Sequence, residues 1–239
     1  MVSSRLFGTA GRQRSAFVAL GFLAFLAVPP SSYAEGHGDA GGYPLDGIAR
    51  VLGDGEDLPC GQHPLVVYRG TQLKLSKPAR VHPAFAPKIA ELEQLVAEVA
   101  VPIYGRAPRT LVHLGTHNCR RMRLYPDWVS EHALGNAIDV AGFDFGPLPR
   151  TSDAPASLPR ALKRGFSVRL DQHWTARHGA GATHSEFLRA LARKLIDRPD
   201  LFRVVLGPAW PGHHNHFHLD FAPYRVVEVF KPEEAAALD

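Results

Sequence analysis

The segment SEHALGNAID, Ser130 to Asp139, sets a histidine and an aspartate seven positions apart among small and apolar residues. Two readings fit it. In one, it is a solvated turn leading into a strand. In the other, His132 and Asp139 hold the same metal ion, and the fold must bring them a third ligand. The run NAIDVAGF, which overlaps its end, has the length and apolar content of a short buried strand. A metal pair at the mouth of a buried strand points to a small sheet built around a site.

A source for the third ligand lies near the C-terminus. The chain has 13 histidines, and four of them crowd into HHNHFH, His213 to His218. In a strand, residues two apart share a face, so His214, His216 and His218 would line one surface while Phe217 and Leu219 face the core. An exposed histidine-rich edge is the alternative, and the alternation of Phe217, Leu219 and Phe221 argues against it. Catalytic zinc takes three protein ligands and leaves a fourth place for water. His132, Asp139 and one histidine of HFH would supply that set, with one zinc ion per chain. Either piece alone arises often by chance; the two in this order are more specific. Histidine and carboxylate donors are not exclusive to zinc. Buffering of metal by HHNHFH alone is a third reading, and it would need no Asp139.

Composition narrows the class. Arg5, Arg12 and Arg14 precede the apolar run AFVALGFLAFLAV, Pro29-Pro30 and the small-residue site SYA. That is the layout of a signal peptide over residues 1–34, with cleavage expected after Ala34. The run is shorter than the ~20 residues of a membrane span, so an exported chain, periplasmic or secreted and without a membrane span, is expected. The formal charge of +4 comes from 27 basic and 23 acidic residues. Three of the basic residues lie before residue 35, leaving 24 against 23, which is no footprint for nucleic acid. The remaining length suits one domain, expected as a monomer. Two cysteines, Cys60 and Cys119, fall in the exported part. In an oxidising compartment an isolated pair reads as a bridge, worth roughly 3–4 kcal/mol on the chain-entropy model. Two unrelated buried thiols are the alternative.

Residues 35–57, rich in Gly and Asp, read as a flexible leader, residues 58–224 as the folded domain and residues 225–239 as a tail. FAPKIAELEQLVAEVAV puts Ile89, Leu92, Val96 and Val99 at helical spacing, with Glu91, Glu93 and Glu98 for the wet face. RTLVHLGT, FSVRLDQHW, FRVVLGP and HFHLDF read as strands, and CRRMRLYPDWVSEH as a long loop. THSEFLRALARKLIDRPD reads as a helix opened by a capping box from Thr183 to Glu186. Helices and strands mix without βαβ regularity, so the class is α+β.

SEHALGNAID fits Ser-x-His-x-x-Gly-x-Ala-x-Asp, the signature of zinc D-Ala-D-Ala carboxypeptidases and dipeptidases, at every fixed position. With GTHNCRR, FRVVLGP and HNHFHLDF, it resembles the bacterial extensin-like C-terminal domain family over roughly Cys60 to Phe221. That family is similar to penicillin-insensitive murein endopeptidases, lysostaphin-type peptidases and the hedgehog signalling domain. The resemblance implies a small antiparallel sheet flanked by helices and carrying a zinc site, with peptidoglycan peptides as substrate. It implies His132, Asp139 and His218 as ligands and His216 as the catalytic histidine beside them. The carboxypeptidase branch has a Glu three residues before its ligand histidine; here that place, counted from His216, holds His213. Arg120 corresponds to an arginine near the site in similar proteins, suited to an oxyanion or a substrate carboxylate. Members often carry four cysteines. The positions near Ala84 and Pro199 lack theirs, which implies that Cys60 and Cys119 are one pair.

Around this set, Ser130 is expected to brace the first ligand loop, and Asp220 to orient a ligand imidazole from the same strand face. His113 and His117 flank the preceding strand as secondary candidates. The expected activity is hydrolysis of peptidoglycan stem peptides or cross-links. The alternative is a non-catalytic cell-wall binding module that keeps the fold.

Overall fold

The layering follows from one irregularity in one strand. In the computed structural model, which describes residues 42–235 apart from 54 and 153, NAIDVAGF lies within a nine-residue strand, β5 (Ala137–Phe145). Its core side chains are Ile138 and Val140, then Phe143 and Phe145, so the alternation changes phase. The pairing explains why. His113 of β4 (Thr110–His113) faces Val140, but Val112 faces Gly142, so Ala141 is the extra residue of a bulge. Before the bulge, Asp139 is turned away from the helices. After it, the strand returns the aromatic residues to them.

Nine strands and four helices occur among the described residues. Ahead of β4 come β1 (Val66–Tyr68), β2 (Lys74–Leu75), β3 (Ala79–Val81) and α1 (Ala86–Tyr104). After β5 come β6 (Phe166–Arg169), α2 (Leu170–His173), α3 (Gly179–Ile196), β7 (Val204–Leu206), β8 (Phe217–Asp220), β9 (Val226–Glu228) and α4 (Pro232–Ala235). Seven strands form one sheet in the order β2-β4-β5-β8-β7-β9, with β6 paired to the second half of β5. The central pairs are antiparallel, whereas β2–β4 and β7–β9 are parallel. The α+β class therefore stands, but the sheet is larger than expected and mixed. β1 and β3 form a separate antiparallel pair.

The apolar faces of α1 and α3 meet the sheet through Ile89, Leu92, Val96, Phe187, Leu188 and Leu191, all at most 1 % exposed. That is the spacing read from the sequence. Glu93 is a correction, because it is buried rather than on the wet face. Its carboxylate accepts the main-chain N–H groups of Thr71, Gln72 and Leu73 and the Tyr68 hydroxyl, stitching the β1–β2 loop to α1. The helix expected to open at Thr183 starts four residues earlier, at Gly179, so the capping-box pattern is an internal coincidence. FSVRLDQHW is a strand only to Arg169 and then turns helical.

Both ends of the domain extend further than the composition suggested. The expected signal peptide, residues 1–34, and the first residues of the leader lie outside the described residues. From the rest of that leader, Leu45 and Arg50 are buried, and Leu45 packs with Val129, Ala133 and Leu134. At the other end, the expected tail supplies β9 and the buried Val229. Low hydrophobicity marks a segment as exposed, yet a few well-placed side chains suffice to anchor it. No helix among the described residues is long and apolar enough to cross a membrane.

At the far end of α1, the Tyr104 hydroxyl lies 2.9 Å from His184 Nδ1, and the His184 ring stacks on Phe166 at 5.0 Å. Burial, helped by neighbouring His173, pushes His184 down to about 4. The unfolded chain, with an ordinary histidine near 6.5, then binds the proton more readily. Stability from keeping His184 neutral is complete above pH 6.5 and is lost as pH falls toward 4, by roughly 3 kcal/mol. Urea unfolding between pH 7 and 4 should show this decline, and His184→Leu should flatten it.

Candidate metal centre

Antiparallel pairing of β5 with β8 puts Asp139 directly opposite His218, and Ala137 opposite Asp220. These four share the face away from the helices, because Ile138, Val140, Phe217 and Leu219 take the core face. His132 arrives from a short 3-10 helix, Glu131–Leu134, just before β5. Gly135 ends that turn at φ 65°, a left-handed conformation that favours glycine. A Cβ there would also meet Leu65 Cδ2 at 2.5 Å and the His82 nitrogen at 2.8 Å. The fixed glycine of the motif thus has a steric cause.

Three donor atoms converge. His132 Nε2 lies 3.2 Å from Asp139 Oδ1 and 3.2 Å from His218 Nδ1, and His218 Nδ1 lies 3.0 Å from Asp139 Oδ1. The far side of each ring is tied down. His132 Nδ1 is 3.0 Å from the Thr116 carbonyl, which can only accept, so that nitrogen carries the hydrogen and Nε2 the lone pair. His218 Nε2 is 2.7 Å from Asp220 Oδ2, which likewise leaves Nδ1 facing the cluster. Two lone pairs and a carboxylate oxygen at this spacing repel unless a cation joins them.

The cluster is suited to a metal ion, each residue offering one atom within 4.8 Å of the others. Tetrahedral bonds of 2.0–2.1 Å hold ligand atoms about 3.3 Å apart, close to the 3.0–3.2 Å found here. A proton is the metal-free solution. Burial opposes charging His218, but hydrogen bonds to Asp139 and Asp220 outweigh it and push the ring up to about 10. Burial likewise opposes ionising Asp139, yet the His132 and His218 imidazoles against its oxygen hold its carboxyl far below the usual range. The Asp139 and His218 side chains keep 18 % and 12 % of their surface exposed, so the cluster lies within reach of solvent.

The other expected site residues fall in different places. His216 Nε2 is 3.5 Å from Asp139 Oδ1, beside the triad. Burial pushes His216 down to about 4, against the pull of Asp139. Asp220 holds His218 as expected. Ser130 is buried at the start of the 3-10 helix, but its side chain makes no capping bond. The bracing is done by its main chain, whose N–H donates to the Arg120 carbonyl and whose carbonyl accepts from Ala133. Arg120 itself is exposed, and its guanidinium has no hydrogen bond or ion pair among the described residues. Neighbouring Arg121 instead spends its guanidinium on the Glu56 and Pro126 carbonyls. His113 is turned aside, with Nε2 2.9 Å from the Lys77 carbonyl.

The HHNH stretch is a turn, since β8 begins only at Phe217. His214 is therefore exposed and outside the cluster. His213 takes its place, with its ring 4.7 Å from His216 and 5.7 Å from His218. A turn does not keep the two-residue period, so strand logic chose the wrong partner. Glu131 and Thr116 were also missed. The first is buried against Arg50, and the second acts only through its carbonyl, which no side-chain pattern reveals.

Cys60 and Cys119 are joined by a disulfide. The Asn118 N–H, next to Cys119, donates to the His132 carbonyl, and the Arg120 carbonyl accepts from Ser130. The bridge thus fixes the strip that clamps the ligand-bearing 3-10 turn.

Here an α+β domain carries a His/Asp/His cluster on the open face of its sheet. Residues 49–148 match the family described as Extensin-like protein C-terminus, which supports the resemblance drawn from the motifs. The matched stretch contains His132 and Asp139 and ends before His218. No curated protein and no solved structure gives a significant match.

Two outcomes are expected. Thiol titration of the denatured, unreduced protein should find no free thiol, and two after reduction. On the reading that the cluster binds zinc, Asp220→Asn should weaken that affinity about 10–100-fold, read by chelator competition, with the melting temperature nearly unchanged.

Proposed function

We propose that this protein is an exported zinc-dependent peptidase that hydrolyses peptide bonds in peptidoglycan stem peptides or cross-links. The observation that carries the reading is the convergence of His132 Nε2, Asp139 Oδ1 and His218 Nδ1 at an opening to solvent. The signal-peptide layout and the disulfide support export, and the substrate class rests on the resemblance of SEHALGNAID to the zinc D-Ala-D-Ala peptidase signature.

When bound by these three residues, zinc supplies a Lewis acid for a peptide carbonyl and lowers the pKa of a water to about 7. The surrounding residues have separate tasks. His216 Nδ1 lies 2.8 Å from Asn215 Oδ1, an acceptor, so its Nε2 keeps the lone pair on the side of Asp139. Kept neutral by burial, that nitrogen can take the proton of an attacking water and return it to the leaving amine. Asp220 fixes the His218 ring and strengthens it as a donor. Arg120 has its full fork of donors available for a substrate carboxylate.

Residues 35–239 should carry about one zinc per chain, and Asp139→Ala should lose it. Purified peptidoglycan should release new amino termini with the wild type and at least ~100-fold fewer with His216→Ala. Equal binding without cleavage by either protein would favour a wall-binding module. No zinc in the wild type, even after addition, would remove the peptidase reading.

A further inference from the structure

We infer that the segment Tyr43–Arg50 is a positioning element of the metal centre, acting through Glu131 and Asn136 on the loop between two of the ligands. The inference rests on the metal reading above. His132 and Asp139 are separated by only six residues, so their relative placement depends on how that short loop is held. Glu131 precedes the first ligand, and Asn136 sits between the 3-10 turn and β5.

Arg50 grips Glu131 with two nitrogens, Nε to Oε1 at 2.5 Å and Nη2 to Oε2 at 3.2 Å. Its remaining nitrogen donates to the Leu45 and Ile48 carbonyls, so the guanidinium also shapes its own segment. Glu131 Oε2 accepts from Asn136 Nδ2 at 2.6 Å, and Asn136 Oδ1 accepts from the Tyr43 hydroxyl at 2.5 Å. The Asn136 carbonyl accepts from Phe221 N–H, one residue beyond Asp220. The network therefore touches the chain beside His132, the start of the Asp139 strand and the end of the His218 strand. The segment has its own moorings as well. Asp46 pairs with Arg203 at 2.6 and 3.1 Å, and the Tyr43 ring meets Phe221 edge-on at 4.7 Å.

A network that merely stabilised the fold would act differently. Replacing a buried ion pair by apolar residues of similar volume is often neutral or stabilising, whereas removing one partner strands a charge. The discriminating variant is therefore the double one, Arg50→Met with Glu131→Leu. Its metal-free melting temperature should stay within a few degrees of the wild type, while its zinc dissociation constant rises roughly tenfold. Tyr43→Phe, which removes only the hydroxyl on Asn136, should raise the constant about threefold. Chelator competition for zinc and thermal unfolding of the metal-free proteins read both quantities. A folded double variant that binds zinc as tightly as the wild type overturns the inference. Should the double variant not fold, wild-type affinity in Tyr43→Phe overturns it equally. A wild type that takes up no zinc ends the metal reading and this inference with it, a result distinct from variants that bind normally.

Discussion

Asp139 and His218 face each other across an antiparallel pair, and the site depends on that register. A slip of β8 by one residue would turn His218 into the helix side and bring Leu219 out, leaving Asp139 without its partner. The register is held because the apolar alternatives are large: Ile138, Val140, Phe217 and Leu219 are buried to within 1 % of full cover. The hydrophobic effect thus chooses which polar atoms meet, although none of those atoms gains from it. His132 then completes the cluster from a turn whose end is fixed by Gly135. Each imidazole is locked from behind, by the Thr116 carbonyl or by Asp220. Convergence of unshared pairs is therefore built in by neighbours and is not an accident of rotamers.

How much of this could be read from the sequence followed period and distance. His132, Asp139 and His218 were legible because a motif gave the first two, strand alternation put His218 among the candidates for the third, and the family resemblance singled it out. The Cys60–Cys119 link was legible from an isolated pair behind a signal-peptide-like layout. His213 was not, since it sits in a turn where alternation has no meaning, and His214 was favoured in error. Glu93 misled and Glu131 went unread for a shared reason. Charged residues at helical or loop positions are usually wet, and only partners brought from 20 to 81 positions away make their burial tolerable. The same blindness made Tyr43–Arg50 look like a leader. Its anchors are single residues spaced along a polar stretch, and their partners lie on distant elements.

The chain carries several buried charges on the site side of the sheet, and their sum matters more than any one pair. Asp220 is near enough to disfavour the ionisation of Glu131. Burial pushes the Glu131 carboxyl up, Arg50 pulls it down by hydrogen bond, and Asp220 adds to the upward push. An unmatched Glu131 would compete with Asp220 for whatever positive charge the site holds. Arg50 removes that competition by matching Glu131 separately, with two guanidinium nitrogens on its carboxylate.

That separation leaves two carboxylates for the cluster, Asp139 in direct contact and Asp220 through His218. With both histidines neutral, the donor set carries two negative charges, and a divalent cation closes them to zero. Charge left over in a buried site is costly, so charge balance, like the 3.0–3.2 Å spacing, suits the cluster to a divalent cation. A proton on His218 satisfies only half of that demand.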